Sequence, residues 1–175
     1  VVREALREYR IEERNEEFRY IGQAMGLFLI AEKGERLLII DQHAAHERIL
    51  FDELSSAEHE AQPLLIPLSF DVEENQTEAV MGRAKALKRA GVGIERRGDT
   101  SFELTTLPSG LSLRGEDIIQ LLSDQGGTED EVLKTLYADV ACKKAIKDGE
   151  TLDRRTGEDL VRRTLALPFP RCPHG

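Results

Sequence analysis

From Phe18 to Asp41 the chain reads FRYIGQAMGLFLIAEKGERLLIID, two apolar runs around the polar EKGE. Turn chemistry at Lys33-Gly34 between runs rich in Ile, Leu and Phe predicts a β-hairpin. The second arm, Leu37 to Ile40, is apolar without alternation, the pattern of a strand covered on both faces. From Ala44 to Leu54 the spacing of Ile49, Leu50 and Leu54 becomes helical. LLIIDQHAAHERIL, residues 37 to 50, is therefore a strand running into a helix. EAQPLLIPLSF follows, and its prolines forbid a regular helix and favour extended chain. A helix is predicted from about Glu74 to Ala90, ended by Gly91, with short strands at Gly93 to Arg96 and Phe102 to Thr106. LPSGLSLRG reads as loop. Further helices are predicted over Glu116 to Ser123, Glu129 to Lys147 and Thr156 to Ala166, the first two separated by QGG at 125 to 127. Residues 1 to 17 are mixed in charge and read as an entry segment. The pattern is α+β, with an early hairpin core and a more helical middle.

Composition narrows the class. At 175 residues, 40% hydrophobic and 33% charged, the chain can bury a real core. No apolar run approaches the ~20 residues of a membrane span, and no signal-peptide pattern opens it. It starts at Val1 without a preceding Met, as an excised piece of a longer protein would. With only two cysteines, Cys142 and Cys172, a disulfide scaffold is not expected; a leaderless chain points to a reducing cytoplasm, where thiols and metal ligands are the expected forms. The net charge of -9 argues against a general nucleic-acid binder. Lys143 to Gly175 nevertheless carries eight Lys/Arg against five Asp/Glu, leaving -12 on the remainder.

The strand-to-helix junction concentrates chemistry. Asp41 and His43 share one side of extended chain, and His43 and Glu47, four apart, share one face of a helix. Imidazole with carboxylate suits a divalent ion such as zinc or manganese. The plain alternative makes Asp41 the helix cap and the histidines a solvated face; capping, however, requires neither His43 nor Glu47, and Ala44 gives Asp41 no capping-box partner. A zincin protease is excluded by spacing, because His46-Glu47 is followed by Arg48, Ile49 and Leu50. At the other end, RCPHG supplies Cys172 and His174 around Pro173, and DVACKKAIKDGE supplies Cys142 in a helical context. Alone, Cys142 would more often be a small buried hydrophobe.

DQHAAHE, ACKKAIK and CPHG, in that order and at these distances, closely resemble the C-terminal domain of the endonuclease-active MutL mismatch-repair proteins. The resemblance spans nearly the whole chain. The family motif is Asp-Gln-His-Ala, two residues, Glu, four residues, Glu. Asp41, Gln42, His43, Ala44 and Glu47 match it, whereas Asp52, followed by Glu53, stands at the last acidic position. The family continues a few residues beyond the position of Gly175. QPLLIP, Gln62 to Pro67, is similar to the Gln-x-Leu-Leu-x-Pro motif by which MutL proteins engage the replication sliding clamp. There Leu64 and Leu65 would enter an apolar pocket with Gln62 bonding at its edge; the plain alternative turns both leucines into this chain's own core.

The resemblance implies a discontinuous dimerisation subdomain, 1–61 and 135–175, around an inserted regulatory subdomain, 62–134. It implies a metal-dependent endonuclease that nicks one strand of duplex DNA, with Asp41, His43 and Glu47 catalytic. Asp41, His43, Glu47, Cys142, Cys172 and His174 would be metal ligands or close supports. Zinc suits the thiolate-imidazole end, and manganese or magnesium the cleavage. The expected partners are a second copy, duplex DNA, the sliding clamp through Gln62, Leu64, Leu65 and Pro67, and other mismatch-repair proteins. The expected place is the cytoplasm, at the nucleoid during repair. The Gly-rich ATPase motifs of the family's N-terminal region are absent, so ATP is not expected to bind this segment. Two other classes stand beside this one: a dimerisation and interaction module with a structural zinc, and a regulator whose assembly zinc controls.

Overall fold

The computed structural model describes residues 18–123 and 128–168. Among them the chain forms two three-stranded antiparallel sheets and five α-helices, an α+β fold. It divides into two compact units, one made from both ends of the described chain, 18–50 and 144–168, and one from 51–143. The expected divisions lie at 61/62 and 134/135; those observed fall inside two helices, at 50/51 and 143/144. A helix has no turn residue at such a division, so composition carries no sign of it.

In the first unit the sheet runs β1 (Arg19–Ala24), β2 (Phe28–Lys33), β3 (Arg36–Asp41), in that order. The predicted hairpin is β2–β3, closed by Gly34 and Glu35 between the paired Lys33 and Arg36. The first apolar run is not one strand but two. Met25 and Gly26 both have positive φ, 59° and 66°, and Leu27 N–H closes the turn on Ala24 carbonyl at 3.1 Å. Two central residues with φ above zero make a type I′ turn. Methionine is a poor occupant of that conformation, which is why the dipeptide gives no turn signal. Helix α1 (Gln42–Ser56) follows β3 without a break, and α5 (Arg154–Ala166) packs on β1. Asp153 caps α5, accepting the Arg155 and Thr156 N–H groups at 2.9 and 3.0 Å. Gly157 lets that helix lie close: a Cβ there would meet the Tyr20 ring and hydroxyl. The core gathers Tyr20, Leu29, Ala31, Ile49, Leu160 and Val161.

Strand β3 departs from expectation. Leu38 and Ile40 pack against that core, but Leu37 and Ile39 are 61% and 64% exposed. The apolar run is thus not covered on both faces within one chain. Ile21, 43% exposed, is a further large apolar side chain left open on the same sheet.

The second unit has its own sheet, ordered β4 (Ala61–Asp71), β6 (Ser101–Pro108), β5 (Gly93–Arg96), with α2 (Thr77–Leu87), α3 (Gly115–Ser123) and most of α4 (Glu129–Lys144). The strands expected at 93–96 and 102–106 are thus present, and with β4 they form the sheet that this unit's helices accompany. Short 3-10 turns flank α2, and Gly91, at φ 80°, ends the segment as the sequence predicts. The core comprises Val80, Leu87, Val92, Phe102, Leu104, Ile118 and Leu122, with Val132, Leu136 and Tyr137 of α4. LPSGLSLRG is loop only after Pro108, because β6 takes in its first two residues. The expected break at 125 to 127 lies outside the described residues.

Candidate metal centre

The junction of β3 and α1 places the motif. Gln42 N–H donates to Leu27 carbonyl at 2.9 Å, holding the helix start against the β1–β2 turn. Asp41, exposed on the strand end, accepts the Ala44 N–H on Oδ1 at 2.9 Å and so caps α1. Capping occupies one of its two oxygens, and a carboxylate has about four acceptor sites.

His43 and Glu47 face each other one helical turn apart, Nε2 to Oε2 at 3.7 Å. His43 is half-buried and Glu47 only 3% exposed. The ring is fixed by its other nitrogen: Nδ1 lies 2.7 Å from Ile146 carbonyl. A carbonyl can only accept, so Nδ1 carries a proton, and Nε2 is the nitrogen turned toward the Glu47 carboxylate. A shared proton needs a heavy-atom distance of ~2.7–3.2 Å, shorter than the 3.7 Å observed. Bonds of ~2.1 Å meeting at a tetrahedral angle place two ligand atoms about 3.4 Å apart. Imidazole and carboxylate at this spacing match two ligands of one divalent ion, and 3.7 Å also suits an imidazolium–carboxylate ion pair.

His46 is used differently. Its Nδ1 accepts the Ile146 N–H at 3.1 Å, so its lone pair there is committed to the backbone. His59, in the second unit, lies with Nε2 2.8 Å from Leu54 carbonyl. Cys142 sits on α4 in the second unit, with no disulfide to another described residue. Asp52 and Glu53 lie on the second-unit part of α1. Cys172 and His174 lie outside the described residues.

The clamp-type segment is extended, as predicted, and its register is broken. Pro63 pairs with Thr106 and Leu68 with Leu104, so Leu64–Pro67 stand opposite the single residue Thr105. Prolines at 63 and 67 lack the N–H a ladder needs, and Leu65 and Ile66 between them face outward. Leu65 and Ile66 are 102% and 79% exposed, and Gln62 is exposed, while Leu64 packs against the second unit's core. A groove of about 510 Å³ runs beside them, lined also by Leu107, Leu111 and Leu113.

The basic end of the chain is partly engaged. Arg162 pairs with Asp159 and Glu158 at 3.3 and 3.8 Å, and Arg154 lies over the Tyr20 ring. Among the described residues no helix is long and apolar enough to cross a membrane.

Comparison with known proteins decides the family. Residues 21–152 match the family described as "MutL C terminal dimerisation domain". The chain belongs to that MutL family. It is 40% identical over 162 residues to the DNA mismatch repair protein MutL of Treponema pallidum (strain Nichols), covering 90% of this chain and 26% of that protein. It is 31% identical to MutL of Borreliella afzelii (strain PKo), over 94% of this chain and 27% of the relative. MutL of Halothermothrix orenii is 32% identical, with 90% and 26% covered. The chain thus spans about a quarter of the length of these MutL relatives.

The name of the MutL family also bears on β3. A dimerisation domain requires an apolar surface that the single chain leaves open, and the first unit has one at Leu37 and Ile39. A groove of about 520 Å³ continues it past Asp41 at the end of β3 and Ala44 and Arg48 of α1 to Thr164, Leu165 and Leu167.

Proposed function

We propose that the chain is the metal-dependent nicking module of a mismatch-repair protein, and that it acts as a homodimer in the cytoplasm. The observation that carries this reading is the His43–Glu47 pair: a buried carboxylate facing Nε2 of an imidazole whose Nδ1 is fixed by Ile146. Asp41, Cys142, Cys172 and His174 are proposed to complete the ligand set. Asp41 leaves β3 two residues before His43, and Cys142 precedes Ile146 by four residues, a chain reach of at most ~14 Å. Zinc matches the thiolates and imidazoles, and manganese or magnesium the carboxylates. Such ions, when bound, polarise a scissile phosphate, stabilise charge on the leaving oxygen and activate water. The chain's own part is orientation: Ile146 fixes the His43 ring, α1 holds Glu47 one turn away, and the Ala44 N–H holds the Asp41 carboxylate in place.

Duplex DNA, the sliding clamp and other mismatch-repair proteins are the proposed partners. The net charge of -9 opposes approach to DNA, and DNA affinity rests on phosphates neutralised by Lys and Arg. Nicking by the 175-residue chain alone is therefore expected to be weak, and to rise when the clamp is supplied through Gln62, Leu65 and Ile66. The second copy is proposed to cover Leu37 and Ile39. The rival, a dimerisation module with only a structural zinc, shares every element except the cleavage.

The test is nicking of a closed-circular plasmid with clamp and manganese. Asn caps a helix as well as Asp does, so Asp41→Asn keeps the fold while changing the charge. The reading predicts that this variant and Glu47→Gln retain the parent melting temperature and lose nicking. A folded Asp41→Asn chain that nicks like the parent makes the structural-zinc reading the correct one.

A further inference from the structure

Gln42 is the one motif residue to which the proposed function gives no task, and it is fully buried, 0% exposed. Its side-chain nitrogen donates to Gly26 carbonyl at 2.6 Å and to Glu150 carbonyl at 3.1 Å, with Lys147 carbonyl 3.4 Å away. Carbonyls only accept, so the amide orientation is fixed by its surroundings. Its oxygen accepts a short hydrogen bond from Gln23 Nε2. Gln23 doubles the grip, donating to Glu150 carbonyl at 2.7 Å and accepting the Leu152 N–H at 3.1 Å. The two backbones are in contact beneath these amides. Gly149 N–H donates to Gly26 carbonyl at 3.0 Å, and a Cβ on Gly26 would stand 2.9 Å from Gly149 Cα.

Three stretches distant in sequence are thereby joined: the β1–β2 turn, the first residue of α1, and the segment from Lys147 to Leu152. Ile146 stands immediately before that segment. Its carbonyl takes the Nδ1 proton of His43, and its N–H goes to His46, one turn further along the same helix. Ile146 therefore reads the position of the 147–152 segment and transmits it to both rings.

We propose that Gln42 is a positioning residue: by gripping Gly26 and Glu150 it holds Ile146 where its carbonyl keeps His43 in the Nδ1–H form, with Nε2 directed at Glu47. Only the last step, that Nε2 then serves a metal ion, rests on the proposed function. The grip demands an amide. The substitution Gln42→Glu would set a carboxylate, an acceptor, against two carbonyls. Gln42→Ala would remove this donor, leaving Gly26 carbonyl to the Gly149 N–H and Glu150 carbonyl to Gln23 Nε2, and so loosen the grip without abolishing it.

The experiment is ring-nitrogen NMR on the 15N-labelled 175-residue chain, kept metal-free with a chelator at mildly alkaline pH, followed by zinc titration calorimetry. The His43 signals are assigned by their loss in His43→Gln. In the parent, His43 should show the Nδ1–H form. In Gln42→Ala and Gln42→Glu it should shift toward the Nε2–H form that an unrestrained imidazole favours, and zinc affinity should fall about 10- to 100-fold, the usual effect of removing a ligand's support. General loss of stability does not move a tautomer in chains that remain folded, which circular dichroism verifies. If the Gln42 variants do not fold, Gln23→Ala, which removes half of the grip and leaves Gln42 packed, is measured in the same way and should show a smaller shift in the same direction. Unchanged His43 signals and a zinc affinity within twofold of the parent, in any folded variant of the set, overturn the proposal. A shifted tautomer with no zinc binding by either chain supports the positioning role and overturns the metal reading instead.

Discussion

Replacing Ile39 by Ala tests the dimer surface with a magnitude the structure supplies. Ile39 is 64% exposed in the single chain, and full burial of an isoleucine contributes about 1.5–3 kcal/mol. Roughly 1–2 kcal/mol per copy therefore remains to be gained when a second chain covers it. Truncation to Ala forfeits about 1 kcal/mol of this per copy, doubled by the two-fold symmetry of a dimer. The dissociation constant should rise about 30-fold. Adding Leu37→Ala, whose side chain is 61% exposed on the same strand face, should bring the loss to about 4 kcal/mol, close to a thousandfold. The folded monomer should barely notice, because neither side chain is core within one chain; a cost within ~1 kcal/mol is expected from strand propensity. Sedimentation equilibrium across micromolar concentrations reads the constant, and thermal melting of the dissociated variant reads the monomer. An unchanged dimer in the double variant, or a parent that stays monomeric at every concentration, refutes the assignment of this face. Loss of dimer together with loss of fold would show that both residues serve the monomer's own core.

Three further outcomes are expected. Gln62→Ala with Leu65→Ala should abolish binding to the sliding clamp, measured by surface plasmon resonance, with the melting temperature unchanged, because both side chains are exposed; Leu64→Ala, which is part of the second unit's packing, should cost about 1–2 kcal/mol of stability. Asp41→Ala should lose about 1 kcal/mol of stability through the helix cap whereas Asp41→Asn should not, and equal melting temperatures for the two would show that the 2.9 Å bond to Ala44 is not stabilising. Hydrogen bonds from Arg114 and then Lys143 hold the Asp117 carboxyl well below the usual carboxylate range. A group depressed on folding stabilises fully above its unfolded value, near pH 4, and loses that contribution as the pH falls; Asp117→Asn should therefore flatten the fall in melting temperature below pH 4, and an acid limb as steep as the parent's would contradict the assignment.

Much of the fold could be read from short-range pattern, and the exceptions have physical causes. The helix ended by Gly91, the β2–β3 hairpin and the proline-bounded extended segment each depend on neighbours in sequence, so spacing and turn chemistry suffice. The β1–β2 turn was hidden because Met25 occupies a conformation that methionine seldom signals. The face of β3 misled for another reason: Leu37 and Ile39 are as apolar as strand residues covered on both faces, but the covering is proposed to come from a second chain. In the site, the four-residue spacing of His43 and Glu47 was legible as one helix face. The single role expected of Asp41 was not separable, since a helix cap and a metal ligand call for the same residue at the same place. Gln42 could not be assigned a task at all. Its partners Gly26 and Glu150 lie 16 and 108 residues away, and a glutamine in a helical pattern carries no mark of burial.

The proposed metal centre depends above all on His43 and Glu47 sharing one divalent ion. Crystals of the 175-residue chain grown with manganese or zinc, and diffraction data collected at the absorption edge of each metal, test it directly. An anomalous peak is expected about 2.0–2.2 Å from His43 Nε2 and a Glu47 oxygen, present in the parent and absent from a Glu47→Gln crystal. Crystals saturated with both metals in which no peak lies within bonding distance of His43 would contradict it.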